Sequence, residues 1–109
     1  MTDITINVAS EFSKTPGPRT PDEGDYSGEE FLTKLLKPRF EQALAANSNL
    51  LIILDGTEGY ATSFLEASFG GLARSHDPDV VLQKIKLVSN DEPYLVEEIQ
   101  TYIKEARNK

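Results

Sequence analysis

The sequence predicts a small α/β domain built on a mixed or parallel central sheet with helices packed against it. Three observations carry that prediction. Strand-type and helix-type segments alternate along the chain, residues 50–54 are apolar without interruption, and two Ser-x-x-Glu patterns mark helix starts. Alternation of this kind leads to neighbouring strands joined by helical crossovers.

Residues 2–9 read as the first strand, because Ile4, Ile6 and Val8 alternate with Asp3, Thr5 and Asn7. Residues 13–28 are rich in Pro, Gly, Asp and Ser, and Pro16, Gly17, Pro18 and Pro21 exclude regular structure over most of them. We expect residues 14–26 to form an irregular loop, mobile or ordered as an arm, with or without a short strand of its own. A loop this long in a small domain is either functional or mobile. Arg19 is a lone cation in its acidic stretch and is expected to contribute to a binding face.

Ser27 and Glu30 then match a capping box, in which each side chain satisfies the other's free backbone N–H. Phe31, Leu32, Leu35, Leu36, Phe40, Ala43 and Leu44 recur at helical spacing behind it. Pro38 interrupts that run and must kink the helix or begin a second one. Residues 50–55 are the clearest strand, suited to a position with cover on both faces or a neighbour on each edge. A loop over residues 56–62 follows. Ser63 and Glu66 repeat the capping-box pattern ahead of Phe64, Leu65, Phe69 and Leu72. Asp77 and Pro78 look like the cap and first position of a short helix, and residues 85–89 like a further strand. From Pro93 a last helix places Leu95, Ile99, Tyr102, Ile103 and Ala106 on one stripe, with Lys104, Arg107 and Lys109 near its C-terminal end.

The 109 residues suit one domain, taken as 1–109, and 39% apolar with 27% charged residues argues against wholesale disorder. No basic-then-apolar leader opens the chain and no apolar run approaches bilayer length, so we expect a protein that stays in water. The absence of cysteine excludes disulfides and thiolate chemistry, and it is compatible with a reducing cytoplasm, the expected location. A formal net charge of −7 argues against nucleic-acid partners, which favour basic surfaces. Lys34, Lys37 and Arg39 are the one cation cluster, and a solvated helix face explains them.

The chemical inventory is thin. Asp55-Gly56-Thr57 after an apolar strand suggests an aspartate phosphohydrolase, but Ile53 stands where the paired aspartate belongs. A receiver-type phospho-aspartate needs an acidic pair near the first strand and a late-strand lysine, whereas Glu11 is alone and Ser89 and Asn90 end the late strand. The glycines Gly56, Gly59, Gly70 and Gly71 form neither a P-loop nor a dinucleotide fingerprint, and read as turns and close packing. His76 is the only histidine, and beside Ser75 and Asp77 it lacks a nucleophile elbow; it reads as a helix-end residue. We therefore expect no enzyme, cofactor or metal. Thr62 and Ser63, at a helix start beyond the central strand, serve as a plain cap or as a regulatory phosphoacceptor.

The stretch Leu54-Asp55-Gly56-Thr57-Glu58-Gly59-Tyr60-Ala61-Thr62-Ser63-Phe64-Leu65, continued by Phe69-Gly70-Gly71-Leu72, resembles the bacterial STAS-like domains of unknown function. Pro16-Gly17-Pro18-Arg19 and Tyr26-Ser27-Gly28-Glu29-Glu30-Phe31 are similar to that family too. These domains are distant relatives of the STAS domains of anti-sigma factor antagonists. The resemblance implies a STAS-like fold and a protein-binding role. It makes Ser63, with Thr62 beside it, the counterpart of the antagonists' phosphorylated hydroxyl, and Asp55, Gly56, Thr57, Glu58, Gly59 and Tyr60 the partner-binding loop. The implied partner is a histidine-kinase-like ATPase, the anti-sigma factor. Here Ala61-Thr62-Ser63-Phe64 replaces the antagonists' Asp-Ser-Ser-Gly type sequence. A second function class is a small-molecule or nucleotide-binding domain that uses the Gly56–Ser63 loop as an anion site.

Overall fold

The computed structural model describes residues 4–106. Strands β1 (Ile4–Asn7), β2 (Leu50–Ile53) and β3 (Ile85–Val88) make one parallel sheet in the order β1-β2-β3. The register sets Ile4 beside Leu50 and Leu50 beside Ile85, and it ends with Asn7, Ile53 and Val88 in line. Side chains alternate along a strand, so Ile4, Ile6, Leu50, Ile52, Ile85 and Leu87 share one face, and the helices build the core there. Leu51, Ile53 and Val88 turn to the opposite face and are half-buried. The unbroken apolar run of the central strand therefore reflects neighbours on both of its edges.

The first strand is shorter than its alternation predicts. Asn7 accepts a hydrogen bond from the Ser10 amide (3.2 Å) and its own amide donates to Glu11 (2.8 Å), which starts a single helical turn, α1 (Val8–Glu11). Val8 is buried as expected, but from a helical backbone. The readings of Thr2, Asp3, Arg107 and Lys109 lie outside the described residues. Arg39 binds the Thr5 carbonyl (2.9 Å) and Glu11 (2.9 Å), so this member of the cation cluster holds the end of β1 rather than standing in solvent.

Helix α2 runs from Gly28–Phe31 through a π-helical stretch at Leu32–Leu36 into Lys37–Ala46. Ser27 caps it by accepting from the Glu30 amide (3.1 Å), while the Glu30 carboxylate goes to Lys34 (2.8 Å), so only half of the capping box is made. Pro38 does not begin a second helix. The widened turn just before it absorbs the missing N–H and the room its ring needs.

Helix α3 runs from Thr62–Leu65 through a second π-helical stretch, Glu66–Gly70, into Gly71–Ser75. Two glycines let it approach α2. A Cβ on Gly28 would lie 2.6 Å from the Phe64 carbonyl oxygen, and one on Gly71 would lie 2.7 Å from Leu32. Helix α4 (Pro78–Lys84) is capped as predicted, with the Asp77 carboxylate accepting from the Asp79 amide (2.8 Å). Helix α5 (Tyr94–Glu105) begins after Pro93 and buries Leu95, Ile99 and Ile103.

The proline-rich loop is an ordered arm without strands. Its limbs close where the Gly17 amide donates to the Tyr26 carbonyl (2.8 Å), and the Gly28 amide donates to that of Pro18 (2.8 Å). Phe12 and Tyr26, at its two ends, meet edge to face with ring centroids 5.6 Å apart. The arm is an Ω-type loop with closed ends.

Candidate functional site

The parallel topology brings the C-terminal ends of all three strands to one end of the sheet, the position at which such sheets place function. Asp55 lies there, two residues past the end of β2, which is shorter than the strand expected over residues 50–55. Its carboxylate accepts from the backbone amides of Asn90 (2.7 Å) and Asp91 (2.8 Å) and from the Asn90 side chain (3.1 Å). Asp91 answers by accepting from the Gly56 amide (3.2 Å). The two aspartates thus lash together the loops that follow β2 and β3. Asp55 is a brace, and its oxygens are occupied by that duty.

The rest of the predicted loop is equally committed. Gly56 adopts φ +93°, a left-handed conformation that side chains disfavour, and a Cβ there would meet Ala9 at 3.2 Å. Thr57 accepts from the Gly59 amide (3.3 Å) through its hydroxyl. The Glu58 amide donates to the Lys14 carbonyl (2.8 Å), which fastens the loop to the arm. Tyr60 donates its hydroxyl to the Leu54 carbonyl (2.8 Å) and packs against Phe64, with centroids 5.8 Å apart. Burial pushes the Tyr60 phenol up to about 12, so it stays a neutral donor.

Ser63 is not the helix cap that the sequence pattern suggests. The extended residue before α3 is Ala61, which offers no side-chain acceptor, so Thr62 and Ser63 are the first two helical residues. Tyr60, held at Leu54 and Phe64, fixes where the chain turns, and Glu66 is drawn away to two arginines instead of back to the helix start. Thr62 is exposed but lies beside the Tyr102 hydroxyl, which itself donates to Glu98 (2.9 Å). Ser63 is half-buried one position further on.

Sequence reasoning placed Arg19 in the site but missed what it holds. Arg19 pairs with Glu66 of α3, and Arg74 of the same helix binds the other carboxylate oxygen (2.7 Å). The hydrogen bond from Arg19, then that from Arg74, holds the Glu66 carboxyl down at about 2, below its ordinary 4.5. The depressed value means that the pairing stabilises the fold fully above the ordinary carboxylate range and is lost as pH falls from about 4.5 toward 2. In urea titrations the stability advantage of the wild type over Glu66→Gln is therefore expected to shrink over that window and to vanish near its lower end. An advantage that stays constant from pH 6 to pH 2 would contradict it.

His76 ends α3, edge-on to Phe40 with centroids 5.0 Å apart, and its Nε2 lies 3.3 Å from Glu41 but outside hydrogen-bond geometry. Ser75 donates to the Gly71 carbonyl (3.2 Å) and Asp77 caps α4, so neither is oriented as a triad member. Among the described residues no group of three His, Asp or Glu side chains is gathered for a metal, and no helix is long and apolar enough to cross a membrane.

No curated protein and no solved structure matches the chain. The family model for the STAS-like domain of unknown function (DUF4325) matches residues 27–95, which span the whole of α2, β2, α3 and β3 and the loop between Asp55 and Ser63. The chain belongs to the STAS-like domains of unknown function.

Proposed function

We propose that the chain is a regulatory module that binds a protein partner through the face around residues 56–63, with Ser63 as its switch. The observation that carries this reading is a division of labour. Asp55, Gly56, Thr57 and Tyr60 hold the loop's own shape, whereas Ser63 caps nothing and stands at the helix start that this shape presents. A hydroxyl spared from structural duty on a braced platform suits a modification that must alter docking without unfolding the domain.

The partner class rests on the resemblance to the STAS antagonists, distant relatives of this family, whose partner is a histidine-kinase-like ATPase, the anti-sigma factor, met in the cytoplasm. A phosphate on Ser63 would add roughly −1.5 to −2 charges. That end of the sheet already carries Asp55, Glu58 and Asp91, so a phosphate beside them would oppose docking through like-charge repulsion within the face and through its own desolvation cost. Thr62 is the poorer acceptor, because its phosphate would lie beside Tyr102 and the Glu98 carboxylate. One observation favours the second reading, an anion-binding domain: Ala61 leaves the first amides of α3 without a side-chain cap. The carboxylates around that helix start oppose it.

The test separates the switch from stability. Ser63→Ala is expected to change the unfolding free energy by less than about 0.5 kcal/mol, because no cap is lost. Ser63→Asp should keep its melting temperature, as an acidic residue in the first turn suits the helix dipole, yet lose the partner in a pull-down. If Ser63→Asp captures the partner as the wild type does, and mass spectrometry finds no phosphate on Ser63 or Thr62 in protein from its native host, the switch is wrong. A melting temperature raised by phosphate or nucleotide would favour the anion site instead.

A further inference from the structure

We infer that the free edge of β3 is a second docking surface, which takes an extended protein segment of alternating apolar and acidic residues as an added strand. The register decides which backbone groups are available there. The Leu54 amide donates to the Val88 carbonyl (2.8 Å), and successive residues of a strand turn their backbone groups to opposite sides. Lys86 and Val88 therefore face β2, while Ile85 and Leu87 face outward. The Ile85 amide is taken by the Val81 carbonyl at the end of α4. The Ile85 carbonyl and both backbone groups of Leu87 have no partner among the described residues.

The opposite edge is plugged by side chains. The Ile4 amide donates to the Asn49 carbonyl (3.0 Å), so Thr5 and Asn7 face outward on β1. Arg39 donates to the Thr5 carbonyl (2.9 Å), and Glu11 accepts from the Asn7 amide (2.8 Å). Strand addition is thereby left to β3. Beside its edge, on the core face, lies a small apolar cleft lined by Leu82, Ile85, Leu87, Gln100 and Ile103. Every second side chain of an added strand would meet this cleft, and those between would turn to the other face, beside exposed Lys86. Residues 80–90 hold Lys84 and Lys86 and no carboxylate, in a chain of net charge −7. Lys84 reaches Asn47 (3.2 Å), so Lys86 is the cation that the segment meets. That local charge selects carboxylates at the intervening positions.

This surface does not rest on the reading of Ser63, and amide hydrogen exchange on the full chain tests it. The free protein should exchange the Leu87 amide readily and protect that of Val88, which faces β2. The probe is a short capped peptide alternating valine with aspartate, compared with its valine–lysine counterpart. At about ten times its Kd, the aspartate peptide should slow exchange at Leu87 about tenfold, because only about one edge in ten then stays free. The Thr5 amide, on the plugged edge, is the control and should not respond. Lys86→Glu should reverse the preference in favour of the lysine peptide; the residue is exposed, so the variant keeps its fold. The inference is overturned if Leu87 is already protected in the free protein, or if neither peptide slows it at millimolar concentration. It is equally overturned if both charge forms act alike, if the preference survives Lys86→Glu, or if Thr5 responds as Leu87 does. Protection that grows with the protein's own concentration would assign the edge to a second copy instead. None of these outcomes depends on whether Ser63 is phosphorylated.

Discussion

Phe64→Ala is expected to lower the unfolding free energy by about 3–5 kcal/mol, the usual range for removing a buried phenylalanine. The ring is fully buried and meets Phe31 at 5.7 Å, Tyr60 at 5.8 Å and Phe12 at 6.2 Å between centroids. Those neighbours come from α2, the loop after β2 and the root of the arm. Its backbone matters too, since the Phe64 carbonyl packs where only a glycine at position 28 leaves room for it. The resulting cavity cannot close by moving one side chain, because each wall belongs to a different element. With domain stabilities of about 5–15 kcal/mol, the variant should be close to unfolding at 25 °C. Denaturant titration measures this, with Phe64→Leu as the milder comparison. A loss below about 1 kcal/mol would mean that the aromatic cluster collapses around the gap and does not knit arm, loop and helix together.

The sheet was legible because its signal is simple. Residues 50–54 are apolar throughout, and no such run fits an exposed edge; the structure places them between two strands. The caps at Ser27 and Asp77 were legible for the same local reason, a short acceptor ahead of a free amide. The pattern failed at Ser63, where the same letters occur but Glu66 has better partners 47 and eight residues away in sequence, Arg19 and Arg74. Local rules do not see such competitors. The π-helical stretch that accommodates Pro38 is not legible, because it has no residue signature of its own. The duties of Asp55 and Tyr60 were hidden by the loop motif in which they sit. A partial signal existed for Asp55: in a parallel sheet with Ile53 beside Val88, the residues just after each strand must meet, which points to Asn90 and Asp91.

Asp55→Ala is the second large effect, expected at about 2 kcal/mol, within the range for hydrogen bonds to a charged group. It removes three acceptor contacts and leaves the Asn90 and Asp91 amides to water, which can reach them because both residues are exposed. That access keeps the cost below what a sealed site would impose. The melting temperature should fall by about 10 °C for a domain of this size. Asp55→Asn should cost about half as much, since one oxygen remains for the backbone amides while the negative charge is lost. The comparison matters because the motif invites the opposite reading, in which Asp55 contacts the partner. A contact residue would leave melting unchanged and weaken only the pull-down. A brace lowers melting first, and partner capture returns once the sample is cooled well below its midpoint. If Asp55→Ala melts like the wild type but never binds, the carboxylate belongs to the docking face and the division of labour that singles out Ser63 is lost.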